Sequence, residues 1–141
     1  MSVTPKRIGG VNQVLGNRML TKGAEKGRNM SVAKGSAERI LSPVSQERSF
    51  YFYLEEGRPL DVVARSLKEF GESVKKVDPK SLEFHLGRGD FEKWVYMLGD
   101  AELSKSLVKL RSSGFAGEKL RSELVRLVQT RIRQLQRSVS K

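Results

Sequence analysis

Hydrophobic and polar residues follow two different periods along this chain, and the change between them separates a short sheet from a series of helices. An aromatic run at residues 49–55, a turn at residues 56–59 and an apolar run at residues 60–64 predict a β-hairpin. A hairpin alone is marginally stable in water, so one face is expected to pack on the helices that follow. Two of the four consecutive aromatic residues Phe50 to Tyr53 must then face the core, which leaves the alternate pair available for other contacts.

Beyond residue 65 the apolar positions recur at helical spacing. The stretch Ser66-Leu-Lys-Glu69 is a capping box, and it predicts a helix from Leu67 to about Val77. Asp78-Pro79 predicts a second helix, with an N-cap aspartate and a proline at the first helical position. The alternation of apolar residues at 82–86 would equally suit a strand, but the Asp-Pro start favours a helix.

Glycine followed by aspartate separates the next helices, and the last helix has two faces. Gly87-Arg88-Gly89 is expected to end the second helix and Asp90 to cap the third, while Gly99-Asp100 repeats the same signal before the fourth. A fifth helix is predicted from about Glu118 to Arg137. Its predicted apolar face comprises Leu120, Leu124, Leu127, Val128 and Leu135, and its basic face comprises Lys119, Arg126, Arg133 and Arg137.

Residues 1–48 lack both patterns. Six glycines interrupt the apolar series, no residue is aromatic, and Pro43 makes residues 40–46 resemble a linker. Such a segment buries too little apolar surface to offset its ordering entropy, so we expect an extended arm that becomes ordered only on a partner. The predicted architecture is a mostly helical α+β domain at residues 49–141, with a small N-terminal hairpin and about five helices, preceded by a long extended basic arm at residues 1–48.

Charge is distributed unevenly over the 141 residues, whose formal net charge is +11. Residues 1–48 hold nine basic and three acidic side chains, or +6; residues 49–117 hold eleven of each; and residues 118–141 hold seven basic and two acidic, or +5. A neutral body therefore lies between two basic ends. This distribution makes nucleic acid the first partner to consider.

Several other classes of function lose support. The chain has no cysteine and one histidine, His85, which argues against a disulfide framework and cysteine-ligated zinc. No apolar run approaches the roughly 20 residues that span a bilayer, so we expect a cytoplasmic protein without a membrane partner. A transit peptide is the alternative for the basic N-terminus, but its glycines interrupt the helix that such a peptide would need.

The middle of the chain, about residues 50–113, resembles an uncharacterised family of small domains found mainly in archaea and some bacteria. The matching residues are Phe52-Tyr53, Gly57, Ser66-Leu67, Glu69-Phe70, Ser81 to His85, Asp90-Phe91, Trp94-Val95, Leu98 to Asp100 and Leu103. The resemblance implies a helical domain with no assigned activity and an archaeal source. The arm and the last helix lie outside this resemblance, and the arm is similar to the tails of ribosomal proteins.

No catalytic residue, metal site or cofactor is predicted. His85 with its neighbouring carboxylates lacks the spacing of metal ligands, and a partly buried histidine that hydrogen-bonds Asp90 is the better interpretation. An enzyme would instead need a deep pocket around His85 and Trp94. The hairpin aromatics could stack on unpaired bases, pack in the core, or form an edge that pairs with a second copy.

The first functional hypothesis is a ribosome-associated rRNA-binding protein that contacts rRNA and ribosomal proteins. It would be an accessory factor of the hibernation type, which silences, stores or dimerises ribosomes or their subunits. The residues expected to contact phosphates are Lys6, Arg7, Arg18, Lys22, Lys26, Arg28, Lys34, Lys119, Arg126, Arg133 and Arg137. The alternative is an archaeal chromosomal DNA-binding or architectural protein, which predicts comparable affinity for duplex DNA and rRNA.

Overall fold

A computed structural model describes residues 32–140. Within this range a two-stranded antiparallel hairpin is combined with six α-helices, so the predicted mostly helical α+β class is confirmed. The elements are α1 (Lys34–Leu41), a 3-10 turn (Gln46–Arg48), β1 (Phe50–Glu55), β2 (Arg58–Ala64), α2 (Leu67–Ser73), α3 (Pro79–Arg88), α4 (Asp90–Leu98), α5 (Ala101–Ser112) and α6 (Gly117–Ser140). The prediction of an extended arm at residues 1–31 lies outside the described residues.

Helix α1 was not predicted, because we interpreted residues 34–41 as part of the arm. It buries Ala37 and Ile40 and packs on α6, α2 and α4. Its two buried positions and eight residues give too weak a local signal, because a helix this short depends on tertiary packing. Pro43 acts as predicted and blocks its continuation. The compact unit therefore starts at Ala33 in the structure, rather than near Arg48.

The segment expected to be a linker is fixed to the body by two hydrogen bonds. The Val44 N–H donates to the Arg65 carbonyl oxygen (2.7 Å), and the Trp94 indole N–H donates to the Arg48 carbonyl oxygen (2.7 Å). These bonds hold the chain between α1 and β1 against the hairpin and α4. Residues 42–48 thus form one wall of the cavity that lies between the α1–β1 connection and α4.

The hairpin places alternate aromatic residues in the core, as its period requires. Phe50 pairs with Ala64 and Tyr51 with Val63, and irregularities follow on both sides of Tyr53. Phe50 and Phe52 are buried among Phe70, Phe91 and Trp94, while Tyr51 remains exposed. The outward-facing pair is therefore Tyr51 and Tyr53.

Two predicted helix starts are confirmed by their capping hydrogen bonds. Ser66 Oγ accepts a hydrogen bond from the Glu69 N–H (3.2 Å), and the Glu69 carboxylate accepts one from the Arg65 N–H (2.8 Å). Asp78 Oδ1 accepts from the Lys80 N–H (2.9 Å), and Pro79 is the first residue of α3. Helix α2 ends at Ser73, earlier than predicted, but the turn that follows still buries Val74 and Val77.

The predicted cap at Asp90 is wrong. Gly89 occupies the N-cap position of α4 with φ of 79°, a left-handed conformation that glycine adopts without steric cost. Asp90 is the first helical residue and accepts no capping hydrogen bond, because its carboxylate binds His85 and Arg88 instead. The predicted hydrogen bond between His85 and Asp90 is confirmed (2.8 Å).

Helix α6 is the central support of the domain. It packs against α1, α2, α3 and α5, and it approaches α2 closely at Gly71, where an added Cβ would lie 3.0 Å from Gln129 Nε2 and 3.2 Å from Ile132 Cδ1. Ile132 is a seam residue that the sequence analysis omitted, and Leu127 is only half-buried. The buried seam comprises Leu120, Leu124, Val128, Ile132, Leu135 and Ser138.

Candidate nucleic-acid interface

The basic face of α6 is exposed along its whole length. Its four cations recur at intervals of 7, 7 and 4 residues, which places them on one side of a helix with 3.6 residues per turn. The opposite side forms the buried seam, so the helix cannot rotate to hide them. We define the basic stripe as the exposed residues Lys119, Arg126, Arg133 and Arg137.

The N-terminal half of the basic stripe is partly neutralised. The Glu123 carboxylate receives Arg126 Nη2 at 2.6 Å and Lys119 Nζ at 3.3 Å. These hydrogen bonds, the one from Arg126 first, hold the pKa of Glu123 below its ordinary value. Lys119 also lies over the Phe115 ring, with Nζ 5.1 Å from the ring centroid. Two cations and one anion leave one net positive charge here.

Within residues 32–140, the C-terminal half of the basic stripe has no paired carboxylate. No acidic residue follows Glu123 in the sequence, so α6 beyond that point offers no carboxylate to Arg133 or Arg137. Arg133 makes only a long hydrogen bond to Thr130 Oγ1 (3.4 Å), and Arg137 has no ion pair within residues 32–140. These two guanidinium groups are the most available anion-binding groups of the basic stripe.

Two further arginines of α6 serve the fold instead. Arg131 binds the buried Asp100 carboxylate through Nε (2.8 Å) and Nη2 (2.9 Å). Arg121 binds Glu118 and donates to the Val74 carbonyl oxygen (2.9 Å). The structure therefore separates the arginines of this helix into an internal pair and an exposed stripe, a division that charge counting cannot make.

Lys34 is the one other predicted contact residue that the structure describes. It is exposed at the first position of α1. The remaining predicted contacts fall outside the described residues; they are Lys6, Arg7, Arg18, Lys22, Lys26 and Arg28.

An aromatic groove of about 640 Å³ opens between the hairpin and helices α3 and α4. Its apolar wall consists of Tyr51, Tyr53, Phe84, Trp94 and Met97, and its charged rim consists of Glu47, Arg48, Glu56, Arg88 and Lys93. The hairpin period predicted one outward-facing aromatic pair without saying which, and a pocket around His85 and Trp94 was expected only for an enzyme. Phe84 and Met97 were missed, because α3 and α4 bring them opposite the hairpin from distant parts of the chain.

His85 forms the floor of the aromatic groove, and both of its ring nitrogens are occupied. Nε2 accepts a hydrogen bond from the Tyr53 N–H (2.8 Å), so Nδ1 carries the proton and donates to Asp90 Oδ2 (2.8 Å). Burial lowers the pKa of His85 below its ordinary value of 6.5 despite the opposing effect of Asp90. The imidazole is thus a neutral tether between the hairpin and the α3–α4 junction.

Among residues 32–140, no three or more histidine, cysteine or acidic side chains are grouped as they would need to be to hold a metal ion. None of the helices in this range is both long enough and apolar enough to cross a bilayer.

Comparison with known proteins identifies a family. No curated protein and no solved structure matches the chain. Residues 33–129 match a family of unknown function, DUF5752, which is more than half of the chain. The match is wider than the predicted resemblance at residues 50–113, since it includes α1 and the first half of α6, while Arg133 and Arg137 lie beyond it. The chain therefore belongs to the DUF5752 family, a family of small domains without an assigned function.

Proposed function

We propose that this protein is a ribosome-associated accessory factor that binds structured rRNA through the basic stripe of α6 and the basic segment at residues 1–31. The observation that carries the proposal is the exposed, uncompensated charge at Arg133 and Arg137. Phosphate contacts from such groups position a protein on RNA without requiring base recognition. Structured RNA supplies phosphates on a rigid surface that a rigid helix can follow.

The charge of the N-terminal segment adds independent support. Residues 1–31 contain six Lys or Arg and one acid, Glu25. Two basic ends on a neutral body would let the protein contact RNA at separate points, and multiple contacts raise affinity more than either alone. The frequent glycines in this segment would allow backbone amides to approach phosphates closely.

The geometry at His85 favours binding over catalysis. A general base or metal ligand needs a ring nitrogen that faces the reactant, and here both nitrogens are used internally. Ribosome silencing, storage or dimerisation is the role we propose for such a binding protein, with ribosomal proteins as secondary contacts. Self-association through the hairpin edge remains a separate prediction.

A chromosomal DNA-binding role is the alternative, and the length of α6 is the observation that favours it. A 24-residue helix with one exposed basic face could also follow a groove of duplex DNA. That role requires affinity for duplex DNA comparable to the affinity for rRNA. The two candidates therefore differ in a property that can be measured directly.

Sedimentation of a native lysate tests the proposal. The protein would be located by mass spectrometry across a sucrose gradient, with and without DNase and at two salt concentrations. We expect migration with a ribosomal subunit, or a dimer of subunits or ribosomes, that resists DNase and is lost at high salt. Migration with chromosomal DNA that is lost on DNase treatment would replace the ribosome proposal with the DNA alternative.

A further inference from the structure

A second cavity adjoins the aromatic groove. It measures about 930 Å³ and lies between the α1–β1 connection and the C-terminal end of α4. The two cavities share Glu47, Arg48 and Met97, so they meet at these residues. We call the combined feature the α4 channel. It extends the aromatic groove to Arg39 and Tyr96.

The α4 channel exposes two tyrosines and one methionine, although the Tyr51 hydroxyl donates a hydrogen bond to the Gln46 carbonyl oxygen (2.7 Å). Tyr96 is 66% exposed, Tyr51 is 41% exposed, and Met97, between the two cavities, is 40% exposed. Other aromatic residues of this region, such as Phe50 and Phe91, are buried in the core. Exposed apolar groups concentrated along one cleft are typical of a binding site, because scattered single ones would be the ordinary case.

Cations with no partner in the domain accompany these rings. Arg39, Arg48 and Lys93 are exposed and make no ion pair with any residue of the range 32–140. Arg88 is bound to Asp90 at 3.3 Å and lies over the Phe84 ring. Glu47 and Glu56 are the acids left on the walls, so the free cations exceed the free carboxylates by one.

We infer that the α4 channel binds unpaired nucleotides of RNA, with bases stacked on Tyr51 and Tyr96 and phosphates held by Arg39, Arg48 and Lys93. Stacking and phosphate contacts together are the usual way in which proteins bind single strands without sequence preference. This inference rests on the proposed function and adds to it the part of the RNA that the body of the domain contacts. The basic stripe binds structured RNA, and the channel binds an adjacent single strand.

Fluorescence anisotropy with the full chain tests the inference. The probes are a labelled single-stranded oligouridine, an oligoadenosine of equal length, and a blunt RNA duplex. Tyr51→Ala and Tyr96→Ala should each raise the Kd for both single strands about fivefold or more. Tyr96→Phe keeps the ring and should bind as the unaltered protein does. Tyr51→Phe also keeps the ring but loses the hydrogen bond from its hydroxyl to the Gln46 carbonyl oxygen (2.7 Å), so its thermal stability is measured beside its Kd. The Kd for the duplex should not change in any of the four variants.

Charge variants supply a second, independent readout. Lys93→Gln should weaken single-strand binding and lower its log–log salt slope by about 0.7, the value for one phosphate contact on a single strand. Glu47→Gln removes a carboxylate shared by both cavities and should tighten single-strand binding. These side chains are exposed, so circular dichroism and thermal unfolding should be unchanged.

The outcomes separate the inference from the proposed function. One outcome is that the alanine variants bind the single strands with unchanged affinity, while Arg133→Gln and Arg137→Gln weaken binding of the single strands and of the duplex. It would overturn the channel as a binding site and support the basic stripe. Indifference to Glu47→Gln and Lys93→Gln would also overturn it, because phosphates held in the channel would respond to both changes of charge. Failure of the unaltered protein to bind any of the three RNAs would overturn both.

Discussion

Asp100 combines a helix cap with a buried ion pair. Its carboxylate caps α5 through the Leu103 N–H (3.0 Å) and binds Arg131 through two nitrogens. Asp100→Ala leaves Arg131 buried without its partner, and we expect it to lower the free energy of unfolding by about 3–5 kcal/mol. Urea denaturation followed by circular dichroism gives this value.

Two comparison variants divide the effect of Asp100. Asp100→Asn retains an oxygen that can cap α5, so its loss should be smaller than that of Asp100→Ala by about 1 kcal/mol. Arg126→Gln breaks the exposed pair with Glu123 and should change the free energy of unfolding far less than Asp100→Ala does. Equal losses for Asp100→Ala and Arg126→Gln would contradict a special role of the buried pair.

His85 makes stability depend on pH. Because burial holds its folded-state pKa below 6.5, the unfolded chain binds the proton first as the pH falls. The stabilisation is complete above about pH 6.5 and decreases as the pH falls from there through the folded-state pKa. Protonation of His85 Nε2 would also place its N–H opposite the Tyr53 N–H. The hydrogen bond that joins the hairpin to α3 would then be lost.

The measurement is simple because the chain has one histidine. Chemical denaturation at several values between pH 7.5 and 5 should show decreasing stability for the unaltered protein. His85→Gln removes the titrating group and should show a flatter profile over this range, at a lower overall stability. Parallel profiles for the two proteins would assign the pH dependence to the carboxylates.

At the scale of the elements, what could be predicted depended on how local the signal was. The hairpin, the capping box at Ser66-Leu-Lys-Glu69 and the Asp78-Pro79 start are set by neighbours within a few residues, and each is found in the structure. Helix α1 has no such signal, because its stability comes from packing on α6. The cap at Asp90 was wrong although its hydrogen bond with His85 was predicted, because a carboxylate directed toward His85 is not available to cap α4.

The parts of the candidate site differ in the same way, since some follow from a local sequence pattern and others depend on distant residues. The basic stripe follows from helical periodicity within one element, so the sequence suffices to identify it. The internal use of Arg131 depends on Asp100, which is 31 positions away along the chain. The α4 channel combines a connection, a hairpin and two helices, and only its tyrosines from the hairpin follow from a local pattern.

Removal of the Ile40 side chain tests whether α1 belongs to the domain. This side chain is buried, and its helix packs on α6, α2 and α4. Ile40→Ala should therefore lower the free energy of unfolding by about 2–4 kcal/mol. Leu41→Ala, at a half-buried position of the same helix, is the matched control and should cost less. A loss below about 0.5 kcal/mol for Ile40→Ala, as for an ordinary surface change, would mean that α1 is not part of the cooperative unit.

The contact between α2 and α6 makes a prediction about glycine. Gly71→Val would push branched carbons into Ile132 and Val128, and we expect a loss of about 1–3 kcal/mol from overpacking. Gly87→Ala in α3 has open space around it and should instead stabilise the protein by about 0.5–1 kcal/mol. Thermal unfolding of the two variants measures opposite signs, and a stabilising Gly71→Val would contradict the close approach.

For the whole molecule, the structure shows that only part of the positive charge counted in the sequence is free to bind a partner. Arg121 and Arg131 are consumed by internal contacts, and Glu123 offsets part of the basic stripe. The exposed surplus on α6 is therefore concentrated near its C-terminal end, at Arg133 and Arg137. RNA binding by the body should depend mainly on this end of the helix, while residues 1–31 supply contacts of their own.

Deletion of residues 1–31 tests how those contacts are shared. The deletion stops before Ala33, so the packing of α1 is preserved. If all six cations of this segment contact phosphates, the log–log salt slope for structured RNA should fall by roughly 4–5 units, at about 0.7–0.9 per contact. Arg133→Gln with Arg137→Gln removes two contacts and should lower the slope by only about 1.4–1.8. An unchanged slope after the deletion, with the thermal stability of the body intact, would assign RNA binding to the folded domain alone.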